Sequence, residues 1–343
     1  MASSLMKRMK KNSRLAETNE LSKSKFYDPA FRTNIPTEIP MLNVAHSGRP
    51  DRGMQAGILT IAGDSKHFKT GFMLEELKGF QNAHPDGICL FYDSEFGAPI
   101  SYFETRGIDM DKVLHCPIGY VEELKHDLAY QLDNLEPDDK IFIMVDSIGG
   151  LASRKEAEDA IKSDDCPADF TRAKALNSLF RIVTPQLNLR NINMVVINHY
   201  YETMEKFAKK IISGGKKSYL ASDDVWIIGR QQEGTKGSKE GILGYTFVIN
   251  IDKSRKCKEG TKIAIESTFA NGVNKWSSIY QEASQLGYLE ARGPWIHAIN
   301  FDTGESKARK KSDIMNDDEW FQRLLSDEKF IKHLEDKYLL IKD

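Results

Sequence analysis

Eight residues, Gly63-Asp64-Ser65-Lys66-His67-Phe68-Lys69-Thr70, have the types and spacing of a phosphate-binding loop. A glycine lets the backbone turn beneath an anion, amide N–H groups at a helix start cradle it, a lysine reaches the outer phosphates and a hydroxyl ligates Mg²⁺. Lys69 and Thr70 fit the last two roles. One position departs from the pattern, because Phe68 stands where G-x-x-x-x-G-K-[ST] has its second glycine. Two apolar runs tipped with acids accompany the loop. Ile88 to Asp93 leads into Ser94 and Glu95, and Glu95 is either a general base that orients an attacking water or a solvated loop acid. Ile141 to Val145 ends in Asp146, the form in which an aspartate holds the Mg²⁺ shell, usually through water. A third run, Asn193 to Asn198, is tipped with His199, either a sensor of the terminal phosphate or a satisfied structural imidazole.

Chemistry of this kind needs a scaffold that brings strand ends together, and the hydrophobic pattern supplies one. The run Ile58 to Ala62 reads as a strand, and Phe72, Met73, Leu74, Leu77 and Phe80 as the helix after the loop. Within the strands read at 88–93, 141–147 and 193–199, the stretches 88–92, 141–145 and 194–197 are unbroken by a charged residue and almost wholly apolar, as strands buried on both faces of a parallel sheet are. Between them, Val121, Leu124, Leu128, Leu132 and Leu135 step by three and four up to Pro137, and a second helix is expected from about Arg172 to Leu189. Further strands are read at 225–228, 245–250 and 262–266, with a glycine-rich, charged turn joining a hairpin at the sheet edge. In an open α/β sheet ligands lie beyond the carboxyl ends of the strands, so all the acid tips face one site.

The 343 residues exceed one ordinary domain and carry a net charge of −2, so any basic site must be local. Cys89, Cys116, Cys166 and Cys257 have no paired spacing, which fits reduced thiols rather than a disulfide framework or zinc site. No run approaches a membrane span and no apolar secretion segment opens the chain.

Residues 1–32 are basic, with eight Lys or Arg against three Asp or Glu, 8 − 3 = +5, and only a thin apolar face. That segment is either a disordered tail or an arm that docks on another subunit with Phe26 and Tyr27 as anchors. Thr33 to Pro40 reads as a linker. Ser153 to Asp169, which includes Arg154 and Lys155, is polar and reads as a long mobile loop. Tyr200 to Ser218 is a second loop, with Lys206, Lys209, Lys210, Gly214, Gly215, Lys216 and Lys217 among aromatics. It is either a solvated charged loop or a contact for single-stranded nucleic acid. Lys253 and Arg255 sit at a strand end, as surface charge or as a clamp on a neighbour's terminal phosphate. From about Asn271 short helical patterns flank a strand at 295–299, with 302–318 as a charged linker.

Gly63 to Thr70, Phe91-Tyr92-Asp93-Ser94-Glu95-Phe96-Gly97, Val145-Asp146-Ser147, Thr171-Arg172-Ala173-Lys174, Phe180 to Pro185 and Ile197-Asn198-His199 together resemble the UvsX recombinases of T-even-type bacteriophages, a branch of the RecA family. The resemblance runs from about residue 21 to about 287, and that branch likewise tolerates Phe before the loop lysine. It implies an α/β fold with a RecA-like P-loop ATPase core, a mostly parallel twisted sheet flanked by helices. The expected organisation is an N-terminal helical arm and linker at 1–36, the core at 37–270 and a small C-terminal α+β domain at 271–343.

The resemblance further implies ATP and Mg²⁺ as cofactors, helical filaments on single-stranded DNA, and pairing and strand exchange with homologous duplex. A single-strand-binding protein and a mediator would be partners, in the cytoplasm of an infected host. Lys69 and Thr70 would hold phosphates and Mg²⁺, Glu95 would be the base and Asp146 the Mg²⁺ acid. Tyr102 would stack on adenine, His199 would sense the terminal phosphate, and Lys253 and Arg255 would reach across the subunit interface. The stretches at 153–169 and 200–218 would be the two DNA loops, and the segment with Phe26 the docking arm. Members of the branch often end in an acidic tail, whereas this chain ends on mixed charge at Lys342-Asp343, so a regulatory tail is not implied. A hexameric helicase motor or a nucleotide-gated recombination mediator could share the same core.

Overall fold

The computed structural model describes residues 3–162, 171–202, 210–213, 216–233, 242–269 and 272–341. The chain runs through α1 (Ser4–Asn12), α2 (Pro40–Ser47), β1 (Gly57–Gly63), α3 (Lys69–Ala83), β2 (Ile88–Asp93), α4 (Ile100–Glu104), β3 (Val113–Pro117) and α5 (Val121–Asp133). It continues with β4 (Ile141–Asp146), α6 (Arg154–Lys162), α7 (Thr171–Arg190), β5 (Asn193–Asn198), β6 (Tyr200–Glu202), β7 (Lys210–Ile212), α8 (Lys216–Ala221) and β8 (Asp224–Glu233). Then come β9 (Gly244–Lys253), β10 (Lys262–Thr268), β11 (Gly272–Val273), α9 (Ser277–Gln285), β12 (Leu289–Arg292), β13 (Trp295–Ile299), β14 (Ser306–Arg309), α10 (Lys311–Met315), α11 (Asp318–Leu324) and α12 (Glu328–Tyr338).

Strand alternation sorts the apolar residues into two layers, one on each face of a nine-stranded sheet ordered β11-β10-β9-β8-β1-β5-β4-β2-β3. Leu59 and Ile61 of β1, Phe142 and Met144 of β4, and Val195 and Ile197 of β5 join one layer with α2 and α3. Ile58, Ile143, Val145, Met194 and Val196 join the other with α5 and α7. Every pairing from β8 across to β3 is parallel, while β9, β10 and β11 continue the sheet antiparallel. The carboxyl ends of β1, β2, β4 and β5 therefore open on the same edge. Trp276, Ile279, Phe321 and Phe330 from the C-terminal region pack into the α3-side layer.

Three stretches are more regular than the sequence suggests. Residues 154–162 form a helix because Ser153 and Glu156 make a reciprocal cap, with Glu156 N–H donating to Ser153 Oγ at 3.1 Å and Ser153 N–H to Glu156 Oε2 at 3.3 Å. Lys155 adds an i,i+4 ion pair to Asp159 at 2.6 Å. No residue of α6 is buried, which is why apolar periodicity gave no sign of it. The second polar stretch carries the β6–β7 hairpin and the start of α8. The charged stretch 302–318 holds β14, paired with β13, and α10. At the N-terminus, α1 buries no residue, and the segment is tied to the core where Thr33 N–H donates to Asn191 Oδ1 at 3.1 Å and Asn191 Nδ2 to the Phe31 carbonyl at 2.7 Å. No helix among the described residues is long and apolar enough to cross a membrane.

A buried ion cluster ties α2 to the rest. The two ring nitrogens of His46 lie 3.1 Å from Glu76 of α3 and 3.2 Å from Asp224 of β8. Burial opposes charge on the imidazole, but the two carboxylates outweigh it and raise its pKa from 6.5 to about 9. A raised histidine pKa contributes stability that is fully present below pH 6.5 and is lost as pH climbs through about 9. Thermal unfolding followed by circular dichroism should show the melting temperature falling between these values, with His46 accounting for an upper bound of about 3 kcal/mol. His46→Gln should melt lower at pH 6 and lack most of that slope. An equal slope in the variant would remove His46 as its source.

Candidate active site

The loop after β1 turns through Lys66 at φ 63° and Phe68 at φ 60°, both in the left-handed region, before α3 begins at Lys69. The second of these is why a glycine is usual there, since the left-handed conformation costs about 1–2 kcal/mol for a residue with a Cβ. Here packing offsets that cost. The Phe68 ring stacks on Phe247 of β9 at 4.8 Å, meets Phe72 edge-on at 5.3 Å, and lies under the Arg106 guanidinium at 5.2 Å. Inside the loop Lys69 Nζ donates to the Gly63 and Asp64 carbonyls at 3.0 and 2.9 Å, and His67 Nδ1 sits 2.8 Å from the Ile228 carbonyl of β8.

Opposite the loop stand the acid tips. Thr70 Oγ1 donates to Asp146 Oδ2 at 2.8 Å. Glu95 Oε1 accepts from Ser147 Oγ at 2.5 Å and lies 3.1 Å from His199 Nε2. Burial pushes Asp146 up to about 6, with Glu95 and Asp93 adding to the shift against the Thr70 hydrogen bond. For Glu95 burial is again the largest single influence and acts upward, but the Ser147 and His199 hydrogen bonds and the charges of His199 and Lys69 outweigh it and hold the carboxyl below its ordinary value. Burial lowers the Lys69 pKa despite Glu95, Asp146 and Asp64 nearby. The pattern is a cation and a polarised carboxylate cluster facing a cavity of about 560 Å³, lined by Ser65 to Gly71, Glu95, Tyr102, Asp146 and His199.

These residues fit a polyphosphate with a divalent cation. The Thr70–Asp146 pair offers the hydroxyl and carboxylate that would hold Mg²⁺, and an anion above Lys69 would restore the charge that burial disfavours. Tyr102 lines the cavity and is 44% exposed, with Arg106 5.8 Å from its ring.

Among curated proteins, the "Recombination and repair protein" of Enterobacteria phage T4 is 40% identical over 315 residues, covering 90% of this chain and 78% of that one. The chain belongs to the UvsX-type branch of the RecA recombinase family. It is a recombinase acting in recombination and repair. The RecA proteins of Sulfurimonas denitrificans and Leptospira meyeri are 21% and 22% identical, covering 77% and 82% of this chain and 74% and 73% of their own lengths. No protein-family model matches the chain.

Within this UvsX-type site several participants were given no role in the nucleotide site by the sequence. Ser147 grips Glu95, Tyr200 OH donates to Asp64 Oδ2 at 3.0 Å and so ties the start of the β6–β7 hairpin to the phosphate loop, and Arg230, Tyr245, Phe247 and Phe269 form a wall of the cavity. Only Ser147, adjacent to Asp146 on a strand end, stood where a site residue is expected. Lys253 and Arg255 do not line the cavity. Lys253 Nζ donates to the Tyr219, Leu220 and Ser222 carbonyls at 3.0, 3.1 and 2.5 Å, and Arg255 Nε pairs with Asp223 at 2.6 Å. Both cluster near residues 219–224, where Asp223 also accepts from Ile58 N–H at the start of β1.

Of the expected DNA residues, Arg154 lies over the Tyr120 ring at 5.7 Å and Lys155 pairs within α6. Lys217 is exposed on α8, and Lys210 and Lys216 fall in β7 and α8. Lys206, Lys209, Gly214 and Gly215 lie outside the described residues. Phe26 meets Phe31 edge-on at 5.6 Å, while Tyr27 is exposed.

The price of Phe68 is visible one turn on. A Cβ at Gly71 would fall 2.5 to 2.6 Å from three atoms of the Phe68 ring. Gly71→Ala should therefore lower stability by about 1–3 kcal/mol. In a Phe68→Gly background the same change should be neutral or stabilising, because alanine is the better helix former by roughly 1 kcal/mol. Denaturant titration of the four proteins of this cycle checks it, and equal costs in both backgrounds would show that the ring is not what excludes the methyl group.

Proposed function

We propose that this recombinase binds ATP with Mg²⁺ in the cavity after β1, hydrolyses it with Glu95 as the base, and couples that cycle to helical filaments on single-stranded DNA that pair with homologous duplex. The observation that supports this most is the convergence of Lys69, Thr70, Glu95, Asp146 and His199 on one cavity from four strand ends. In this reading Lys69 and the loop amides would hold the phosphates, and Thr70 and Asp146 would hold Mg²⁺, the latter through water. Bound Mg²⁺ would neutralise charge on the phosphate oxygens. Glu95, kept ionised by Ser147 and His199, has its Oε2 without a hydrogen bond among the described residues, leaving that oxygen to orient water. Tyr102 offers its ring to adenine.

His199 is suited to relay occupancy. Its imidazole touches Glu95, and its carbonyl accepts from Ser213 N–H at 2.9 Å while Asn198 Nδ2 donates to the Ser213 carbonyl at 3.0 Å. A shift at His199 therefore reaches the base of the β6–β7 hairpin, which with Lys217 and the lysines around it would follow the DNA backbone; Arg154 and Lys155 would do so from α6. A single-strand-binding protein and a mediator are the partners such a filament calls for, and the setting is the cytoplasm of an infected cell.

Lys253 and Arg255 supply the argument for assembly. Lys253 pairs in register with Val225, which in turn pairs with Thr60 at the middle of β1, and Arg255 pairs with Asp223, which accepts from Ile58 N–H at the start of β1, whereas the cavity opens past the end of that strand. They cannot serve the nucleotide of their own chain without leaving that end of the sheet, so the reading assigns them to the site of a neighbouring copy, with Phe26, Tyr27 and the basic arm docking in the same head-to-tail sense.

The test is ATP turnover with and without long single-stranded DNA across a salt series. Turnover should rise strongly with DNA and fade as salt increases. Glu95→Gln and Arg255→Ala should each be nearly inactive, yet an equimolar mixture should recover about a quarter of wild-type turnover, since one interface in four then joins an intact Glu95 to an intact Arg255. Turnover indifferent to DNA would point to another P-loop machine. A mixture no better than its components would remove the clamp in trans.

A further inference from the structure

We propose that His115, on the edge strand β3, is a positioning residue for the turn that carries Glu95. This rests on the reading of Glu95 as the base, and it adds a residue outside every motif described above. The turn needs a fastening, because Phe96 sits at φ 54°, in the left-handed region that a phenylalanine rarely adopts. Asp93 supplies it. Only 5% exposed at the end of β2, its carboxylate accepts through Oδ1 from Glu95 N–H at 3.0 Å and from Phe96 N–H at 2.8 Å.

A carboxylate held through one oxygen can still swing about its last torsion, which is broad for aspartate. Its plane is fixed when the second oxygen is also engaged. Asp93 Oδ2 lies 3.3 Å from His115 Nε2. The register brings this about, since β3 runs parallel to β2 with His115 opposite Phe91, and Phe91 and Asp93 share a face of the strand. The imidazole lies 5.5 Å from the Phe91 ring and meets the Phe96 ring edge-on at 6.3 Å. Its side chain is 48% exposed, so filling the core does not explain it. The path is short: His115 sets the Asp93 plane, Asp93 sets the two amides, and the amides set where the Glu95 side chain begins. Ser94, between them, is fixed separately to the β4 loop, its Oγ donating to the Ser147 carbonyl at 2.8 Å.

The experiment compares His115→Phe, which keeps a ring but no N–H, with His115→Gln, whose amide nitrogen can reach the place of Nε2. Each full-length protein is measured for DNA-stimulated ATP turnover and for amide exchange at residues 94–97. His115→Phe should lose roughly three- to tenfold in kcat with KM for ATP unchanged, and the Glu95 and Phe96 amides should exchange faster. His115→Gln should recover most of both. Normal exchange in His115→Phe would overturn the inference whatever happens to kcat, and so would a His115→Gln protein as impaired as His115→Phe while melting normally. Glu95→Gln separates the two layers of the argument. If that protein turns over normally, Glu95 is not the base, and the exchange data still decide whether His115 holds the turn.

Discussion

Three carboxylates, Asp93, Glu95 and Asp146, stand at the tips of adjacent parallel strands, and the rest of the site is arranged around keeping them there. β2 and β4 put Asp93 and Asp146 in register as direct neighbours. Left to themselves these groups would repel one another. Each is managed differently. Asp93 spends one oxygen on backbone amides, Glu95 receives a hydroxyl and an imidazole on a single oxygen, and Asp146 takes the Thr70 hydroxyl. The result is a graded cluster in which burial and its neighbours raise Asp146 while hydrogen bonds hold Glu95 down. A divalent cation beside Asp146 and a phosphate beside Lys69 would complete its charge balance.

Much of this was legible before any coordinates. Buried parallel strands advertise themselves as unbroken apolar runs, and a residue that ends such a run is placed by topology alone. That is why Glu95, Asp146 and His199 could be set on one edge of the sheet, where the structure puts them. The helix at 154–162 escaped because a helix without a buried face has no periodicity, and its signature was confined to the cap, Ser153 and Glu156. Contacts between elements far apart in sequence escaped for a different reason. Nothing in the local pattern says that Tyr200 will meet Asp64, that Phe68 will lie on Phe247, or that His115 will find Asp93, because each depends on strand order and register.

Phe68 shows how a departure from a motif can be absorbed. The backbone keeps the conformation that glycine normally provides, and the cost is met by an aromatic ring wedged between β9 and Arg106, with Gly71 left bare to make room. The Phe68 ring fills the space that a Cβ at Gly71 would need, so the two positions form one unit.

The placement of Lys253 and Arg255 beside the middle and start of β1, with the cavity past its end, has a consequence for any assembly built by repeating the proposed contact. Such a contact joins unlike surfaces, and in the helical filament proposed above, where its rotation does not close into a ring, the assembly has two free ends. The terminal subunits are then chemically different from each other. One presents a nucleotide site that no neighbour completes, and the other carries a pair of cations with no nucleotide to meet. Every interior site has both halves, so growth and loss of subunits need not be balanced at the two ends, and the terminus with the uncompleted site is where the energy of hydrolysis is least available to govern release.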